Sequence, residues 1–90
     1  MADWGVHPLS TALFVLGYAL AIPITSKMPA VVARQHRLAL WGHQAGILVA
    51  ALGWLLRGRV LVFVAHLLWM VGASAWFGIG GRRRARPARS

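Results

Sequence analysis

The chain has 90 residues, no cysteine, 59% hydrophobic residues and a formal net charge of +9, with ten Lys and Arg against a single acidic residue. A soluble domain of this size needs a charged surface, but only 12% of the residues are charged, so the composition predicts a membrane protein. The lack of cysteine excludes disulfides and thiolate-ligated metals. Because Asp3 is the only acid, paired-carboxylate and triad chemistry are excluded as well, and we expect no enzymatic activity.

Three uncharged stretches are long enough to cross the hydrocarbon layer, which takes about 20 apolar residues in a helix. They run over residues 8–25, 38–56 and 60–79, and none contains Asp, Glu, Lys or Arg. We therefore predict an all-α integral membrane protein with three transmembrane helices. One transmembrane domain covers residues 1–81, and a basic tail covers residues 82–90.

The first helix has a proline near each end. Pro8 suits the first turn, where a missing N–H costs nothing, and Pro23 predicts a bend or an end. The segment before Pro8 contains no Lys or Arg, so it lacks the positive start of a secretory signal and reads as a short translocated tail. In the connector that follows, residues 26–37, we expect Val31 and Val32 to face the membrane interface.

The second and third helices are joined by Arg57-Gly58-Arg59 alone. Because glycine permits a backbone reversal that other residues resist, this link predicts a tight antiparallel hairpin. Gly80-Gly81 is predicted to close the third helix.

The cations are unevenly distributed between the two ends of the predicted helices. Three lie in the connector and five in the tail, whereas two lie in the hairpin turn. The positive-inside rule therefore predicts an N-terminus outside and a cytoplasmic C-terminus. The excess of Arg over Lys, with abundant Ala, Gly and Val, is typical of GC-rich bacterial genomes and favours a bacterial inner membrane.

The connector and tail cations are expected to contact anionic lipid headgroups, at about 1 kcal/mol each, or to dock on an acidic partner surface. The tail has no interleaved aromatic residues, so nucleic acid is not an expected partner. These residues are Lys27, Arg34, Arg37, Arg82, Arg83, Arg84, Arg86 and Arg89.

Small residues recur at a spacing of three or four in the predicted helices, a pattern that lets another helix backbone come close. We predict that they form helix-packing faces. The residues are Gly17 and Ala21 in the first helix, Gly46, Ala50 and Gly53 in the second, and Ser74 and Gly78 in the third.

His43 and His66 lie within predicted spans, where an imidazole raises the question of haem, metal or quinone binding. In a hairpin folded about Gly58 their depths differ by roughly 10 Å, so they are poor axial ligands for one haem within this chain. We favour hydrogen bonding to neighbouring helices, with no intrinsic cofactor and with haem or quinone contact only beside partner residues. Gln44 is expected to bridge to a partner helix.

Without charged membrane residues, a nucleophile or a metal motif, the chain is most consistent with an accessory subunit on a larger membrane complex, such as a respiratory or other energy-converting assembly. Large or polar groups within the spans are its candidate partner contacts: Tyr18, Phe63, His66 and Trp69.

Two alternatives remain open. The layout of three spans, an external N-terminus and a basic cytoplasmic tail resembles that of phage holins, which implies a self-assembling pore. The two membrane histidines would instead suit a haem- or quinone-contacting anchor of a redox enzyme. A homo-oligomer is compatible with each of these functions.

Overall fold

The computed structural model describes residues 3–85, with side chains described for residues 7–82. This part of the chain is helical, and three of its helices contain stretches long and apolar enough to cross a membrane, at His7–Ser26, Arg37–Leu56 and Val60–Arg82. The prediction of an all-α chain with three such helices is confirmed. The connector contains a further short helix, α2. The helices are α1 (Asp3–Ser26), α2 (Met28–Arg34), α3 (Arg37–Leu56) and α4 (Val60–Ala85).

Helix α3 lies at the centre, and its contact with α1 is made by backbone atoms. A Cβ added at Gly17 would lie 2.5 Å from the carbonyl oxygen of Gly46, and one added at Gly46 would lie 2.7 Å from that of Gly17. Ala21 and Ala50, four residues further along each helix, are fully buried. Gly53 extends the contact, because its added Cβ would meet the Phe14 ring.

We call this contact the glycine seam. Small residues at a spacing of four form a shallow stripe on each helix, and two such stripes allow the backbones to touch. Its residues are Gly17, Ala21, Gly46, Ala50 and Gly53.

Helix α4 follows α3 through a short reversal. Gly58 has φ +74°, in the left-handed region, and its N–H donates to the Leu55 carbonyl at 3.0 Å, which confirms the predicted role of the glycine. Only 6% of the apolar stretch of α4 is buried inside the chain, against 33% for α3 and 17% for α1.

The two prolines lie inside α1 and do not mark its ends. The helix begins five residues before Pro8, so the predicted first-turn position was wrong. Pro23 lies three residues before Ser26, the last residue of the helix. Each proline removes one intrahelical hydrogen bond close to an end of the helix, where the loss is small compared with a break in the middle.

Helix α2 packs against α4, which corrects two expectations about this region. Val31 and Val32 do not face the membrane interface. They are buried with Met28 and Ala73 in a small apolar core. Because α4 provides a protein surface for these side chains, they do not need lipid to cover them.

Gly80 and Gly81 do not end the third predicted helix either, since α4 continues to Ala85. A Cβ added at Gly80 would lie 2.5 Å from Cγ1 of Val32, and one at Gly81 would lie 2.7 Å from Oε1 of Gln35. The two glycines are therefore the residues that allow α2 to approach α4.

Candidate functional site

A first hydrogen-bond network links α3 to α4 around His43, which is fully buried. The indole Nε1–H of Trp69 donates to Nε2 of His43 at 2.9 Å. Because an indole nitrogen can only donate, Nε2 is the acceptor, and Nδ1–H donates to Oε1 of Gln44 at 2.9 Å. The Gln44 amide in turn donates to the Met70 carbonyl at 2.9 Å and to Oγ of Ser74 at 2.8 Å. We call this the His43 network.

A second network joins α1, α3 and α4, and we call it the Tyr18 network. Nε1–H of Trp54 donates to the Tyr18 hydroxyl at 2.9 Å. The hydroxyl donates to Nε2 of His66 at 2.7 Å, and Nδ1–H of His66 donates to the Val62 carbonyl at 2.8 Å. The Cα traces of α1 and α4 do not come within 8 Å of each other in residues 3–85. The Tyr18 side chain therefore bridges two helices whose backbones do not touch.

Both ring nitrogens of His43 and of His66 are thus engaged inside the chain, in two separate networks. A metal or haem iron would have to displace one of these hydrogen bonds before it could bind either imidazole. Within the described side chains, no group of three or more His, Cys, Asp or Glu is arranged to hold a metal ion. In the same part of the chain, every buried side-chain nitrogen and oxygen has a hydrogen-bond partner.

An apolar cleft of about 810 Å³ lies between α4 and the segment where α1 ends and α2 begins. Its few polar side chains are already paired: the Thr25 hydroxyl donates to the Ala21 carbonyl at 2.8 Å, and the Ser26 hydroxyl to the Pro23 carbonyl at 2.7 Å. The cleft therefore presents an apolar surface of mixed small and large residues. We call it the α1–α4 cleft, and it is lined by Thr25, Ser26, Met28, Pro29, His43, Ala65, Leu68, Trp69, Gly72, Ala73 and Trp76.

Most of the candidate partner contacts have partners within the chain. Tyr18 and His66 bond to each other, and Trp69 bonds to His43. The small residues of α4 are also placed differently from those of the seam. Ser74 is used as a hydrogen-bond acceptor, and Gly78 has nothing within 4 Å of its added Cβ, so Gly78 contributes to no packing inside the described chain.

Arg57 ties the turn after α3 to the N-terminal half of α1, a role that sequence reasoning did not predict. Its Nε donates to Oγ of Ser10 at 2.7 Å, and its Nη2 donates to Oγ1 of Thr11 at 3.0 Å. The guanidinium carbon also lies 4.8 Å from the centre of the Phe14 ring, within the range of a cation–π contact. In the sequence, Arg57 was noted only as one of the two turn cations that count toward the predicted membrane orientation.

Gln35 is a second residue that the sequence pattern did not single out. It has φ +52° at the end of α2, in the left-handed region that non-glycine residues rarely adopt. Its amide donates to the Val32 carbonyl at 3.0 Å and to the Phe77 carbonyl at 2.9 Å, so the same side chain caps α2 and fixes it to α4.

The cations predicted to contact headgroups are divided by location. Lys27, Arg34 and Arg37 lie exposed where α1 ends and α3 begins, and Arg82 is exposed near the end of α4. The other four lie outside the described side chains: Arg83, Arg84, Arg86 and Arg89.

The structure thus defines the chain as an all-α protein with three helices of membrane-spanning length, built on a central glycine seam and two internal hydrogen-bond networks. Comparisons with protein-family models, with curated proteins and with solved structures find no match for this chain.

Proposed function

We propose that this chain is a small integral membrane subunit that packs on a larger membrane complex and receives a partner helix in its α1–α4 cleft. The observation that carries the proposal is the cleft itself. Helix α4 stands apart from the end of α1 and the start of α2 over a space of about 810 Å³. In a bilayer this space has to be filled by lipid tails or by protein.

A helix is the better occupant on packing grounds. The cleft surface of α4 alternates small residues with large ones, with Ala65 and Gly72 beside Leu68 and Trp69. Such a surface offers depressions to a helix and rigid aromatic groups to its side chains, and close packing is a main source of helix association in lipid. Because the polar atoms of the cleft are paired internally, a partner needs no polar group to match them.

The location and orientation belong to the same proposal. We place the chain in a bacterial inner membrane, with the N-terminus outside and the C-terminus in the cytoplasm, on the distribution of its cations and its Arg-rich composition. A respiratory or other energy-converting assembly is the partner class we propose, because such assemblies recruit many small membrane subunits. The proposal assigns no catalytic step to this chain.

The pore alternative is less well supported by the geometry. A water-filled pore needs a polar stripe on at least one of its lining helices, but the three long helices are apolar on all sides. The redox-anchor alternative requires a histidine nitrogen that is free to meet a cofactor. Each nitrogen of His43 and His66 is already hydrogen bonded.

The test is to purify the tagged chain from its native membrane in a mild detergent and to identify its companions by mass spectrometry. We expect larger membrane subunits in a fixed stoichiometry. Gly72→Leu should abolish this co-purification, because Gly72 lines the cleft and has nothing within 4 Å of its added Cβ. The substitution fills the cleft without disturbing the chain's own packing.

Gly78→Leu is the matched control, because Gly78 is equally open but does not line the cleft. It should retain the companions. Recovery of the wild-type chain alone or as a homo-oligomer would contradict the proposal, and so would equal co-purification by the two variants.

A further inference from the structure

A second pocket, of about 320 Å³, lies where α1 ends, α2 follows and α3 begins. Its lining combines the basic side chains Lys27 and Arg34 with the imidazole of His36, beside an apolar wall that includes Ile24 and Ala30. We call it the junction pocket. It differs from the α1–α4 cleft, whose lining contains no Lys or Arg.

The hydrogen-bond donors of this pocket are not used inside the described chain. Lys27 and Arg34 are exposed, and neither side chain has a hydrogen bond or ion pair within residues 7–82. Arg57 is different, because its guanidinium donates to two hydroxyl groups of α1. The junction cations therefore have donors to offer to an external acceptor.

His36 adds a donor of fixed tautomer. Its Nδ1 accepts the backbone N–H of Ala39 at 3.1 Å and so caps α3. Because an imidazole whose Nδ1 accepts carries its hydrogen on Nε2, the Nε2–H is the remaining donor. Ala39 also lines the pocket, so the first turn of α3, with its partial positive charge, lies at the same place.

No acidic side chain is near enough to neutralise these groups. The single acid of the sequence, Asp3, is the first residue of α1, whereas Lys27 follows its last residue. A helix of 24 residues separates them by about 36 Å. Residues 7–82, whose side chains the structure describes, contain no Asp or Glu, so no described side chain supplies a counter-charge for the junction pocket.

We propose that the junction pocket binds the phosphate of an anionic phospholipid headgroup. Phosphate oxygens accept hydrogen bonds from ammonium, guanidinium and imidazole donors, which are the three groups present. A lipid is the source because the pocket lies where the apolar stretches of α1 and α3 end, at the level of the headgroups in a bilayer that they cross. The apolar wall at Ile24 and Ala30 would face the glycerol and upper acyl carbons.

This inference is independent of any partner complex, because the isolated chain carries the whole pocket. The test is native mass spectrometry of the full chain in a mild detergent, with phosphatidylglycerol or phosphatidylcholine of the same acyl composition added. We expect the wild-type chain to retain phosphatidylglycerol preferentially. The double variant Lys27→Gln with Arg34→Gln should bind it roughly tenfold or more weakly.

The matched control is Arg59→Gln, compared with the single variant Arg34→Gln, because it removes the same charge from an exposed position outside the pocket. It should bind phosphatidylglycerol about as well as the wild type. The charge-preserving variant Lys27→Arg should do so too, and circular dichroism should show the same helix content in every variant.

Three results would overturn the proposal. The first is an equal loss of binding in Arg34→Gln and Arg59→Gln, which would show that the attraction depends on net charge alone. The second is equal retention of phosphatidylcholine and phosphatidylglycerol. The third is displacement of the lipid by inorganic phosphate, which would show that the pocket binds a free anion and that the apolar wall contributes nothing.

Discussion

Helices α1 and α4 both pack on α3, but they are held there by different interactions. In the glycine seam, the added Cβ of Gly17 would lie 2.5 Å from a carbonyl oxygen of α3, so backbone meets backbone. On α4, the glycine at the middle of the helix, Gly72, has nothing within 4 Å of its added Cβ. Side-chain hydrogen bonds to Gln44 and His43 hold α4 in place.

The difference reflects the two ways in which helices associate in lipid. Acyl chains are as apolar as the side chains they surround, so burial of apolar surface gives no net attraction, and helices associate by close packing or through polar side chains. This chain uses close packing for α1 and polar side chains for α4. We therefore expect the two attachments to respond to different substitutions.

The largest effect is expected for Gly46→Leu, which tests the seam. A Cβ at Gly46 would lie 2.7 Å from the Gly17 carbonyl oxygen and 2.9 Å from the Ala21 nitrogen. Because both are backbone atoms, the helices must separate, and we expect a loss of about 3 kcal/mol or more. The midpoint of unfolding by SDS in mixed micelles measures it. Gly78→Leu, at an open site, should change the free energy of unfolding by less than about 0.5 kcal/mol. Equal midpoints for the two variants would contradict the close packing of the seam.

The next effect is expected for Gln44→Leu, which tests the attachment of α4. It removes three hydrogen bonds, to His43, Met70 and Ser74. Such bonds average about 0.6 kcal/mol each in membrane proteins, so we expect a loss of about 2 kcal/mol in the same unfolding measurement. Ser74→Ala removes one of the three and should lose about a third as much. A Gln44→Leu chain as stable as the wild type would contradict a role for Gln44 in holding α4.

The smallest effect is expected for Tyr18→Phe, which tests the bridge between α1 and α4. It removes the bonds to His66 and from Trp54, and a loss of about 1 kcal/mol is expected. Thr25→Val is the control, since the Thr25 hydroxyl bonds only to its own helix and its removal should leave the bridge intact.

Combining Tyr18→Phe with Gln44→Leu sharpens the comparison. The two networks share no residue, so the two losses should add. A combined loss well above the sum would mean that the networks act as one unit.

Much of the fold was predictable because it depends on local composition. Three apolar stretches of sufficient length predict three helices, and the reversal at Gly58 follows from the residue itself. The small-residue spacing marked Gly17 and Gly46, which the structure places in contact. The sequence did not reveal which helices would meet, nor that α4 would bury a smaller share of its apolar stretch than α1 or α3.

The candidate sites were less predictable because they depend on distant residues. Tyr18 and His66 are 48 positions apart and Gln35 and Phe77 are 42 apart. A helix that is apolar on all sides has no periodicity that shows which face meets a neighbour. Gly80 and Gly81 also depend on a distant segment. In the sequence they predict a helix end, and only the approach of α2 shows that they make room for a neighbouring helix.

Length, apolarity and charge placement by themselves determined that this chain has three helices suited to a membrane, that its cations lie at their ends, and that it carries one acid. These properties are sums over neighbouring residues, and folding does not change them. Only the tertiary structure decided that α1 packs on α3 through glycine residues and that both membrane histidines form hydrogen bonds within the chain. It also decided that Lys27, Arg34 and His36 line one pocket. Each of these depends on which faces meet, and that is set by packing between residues far apart in the chain.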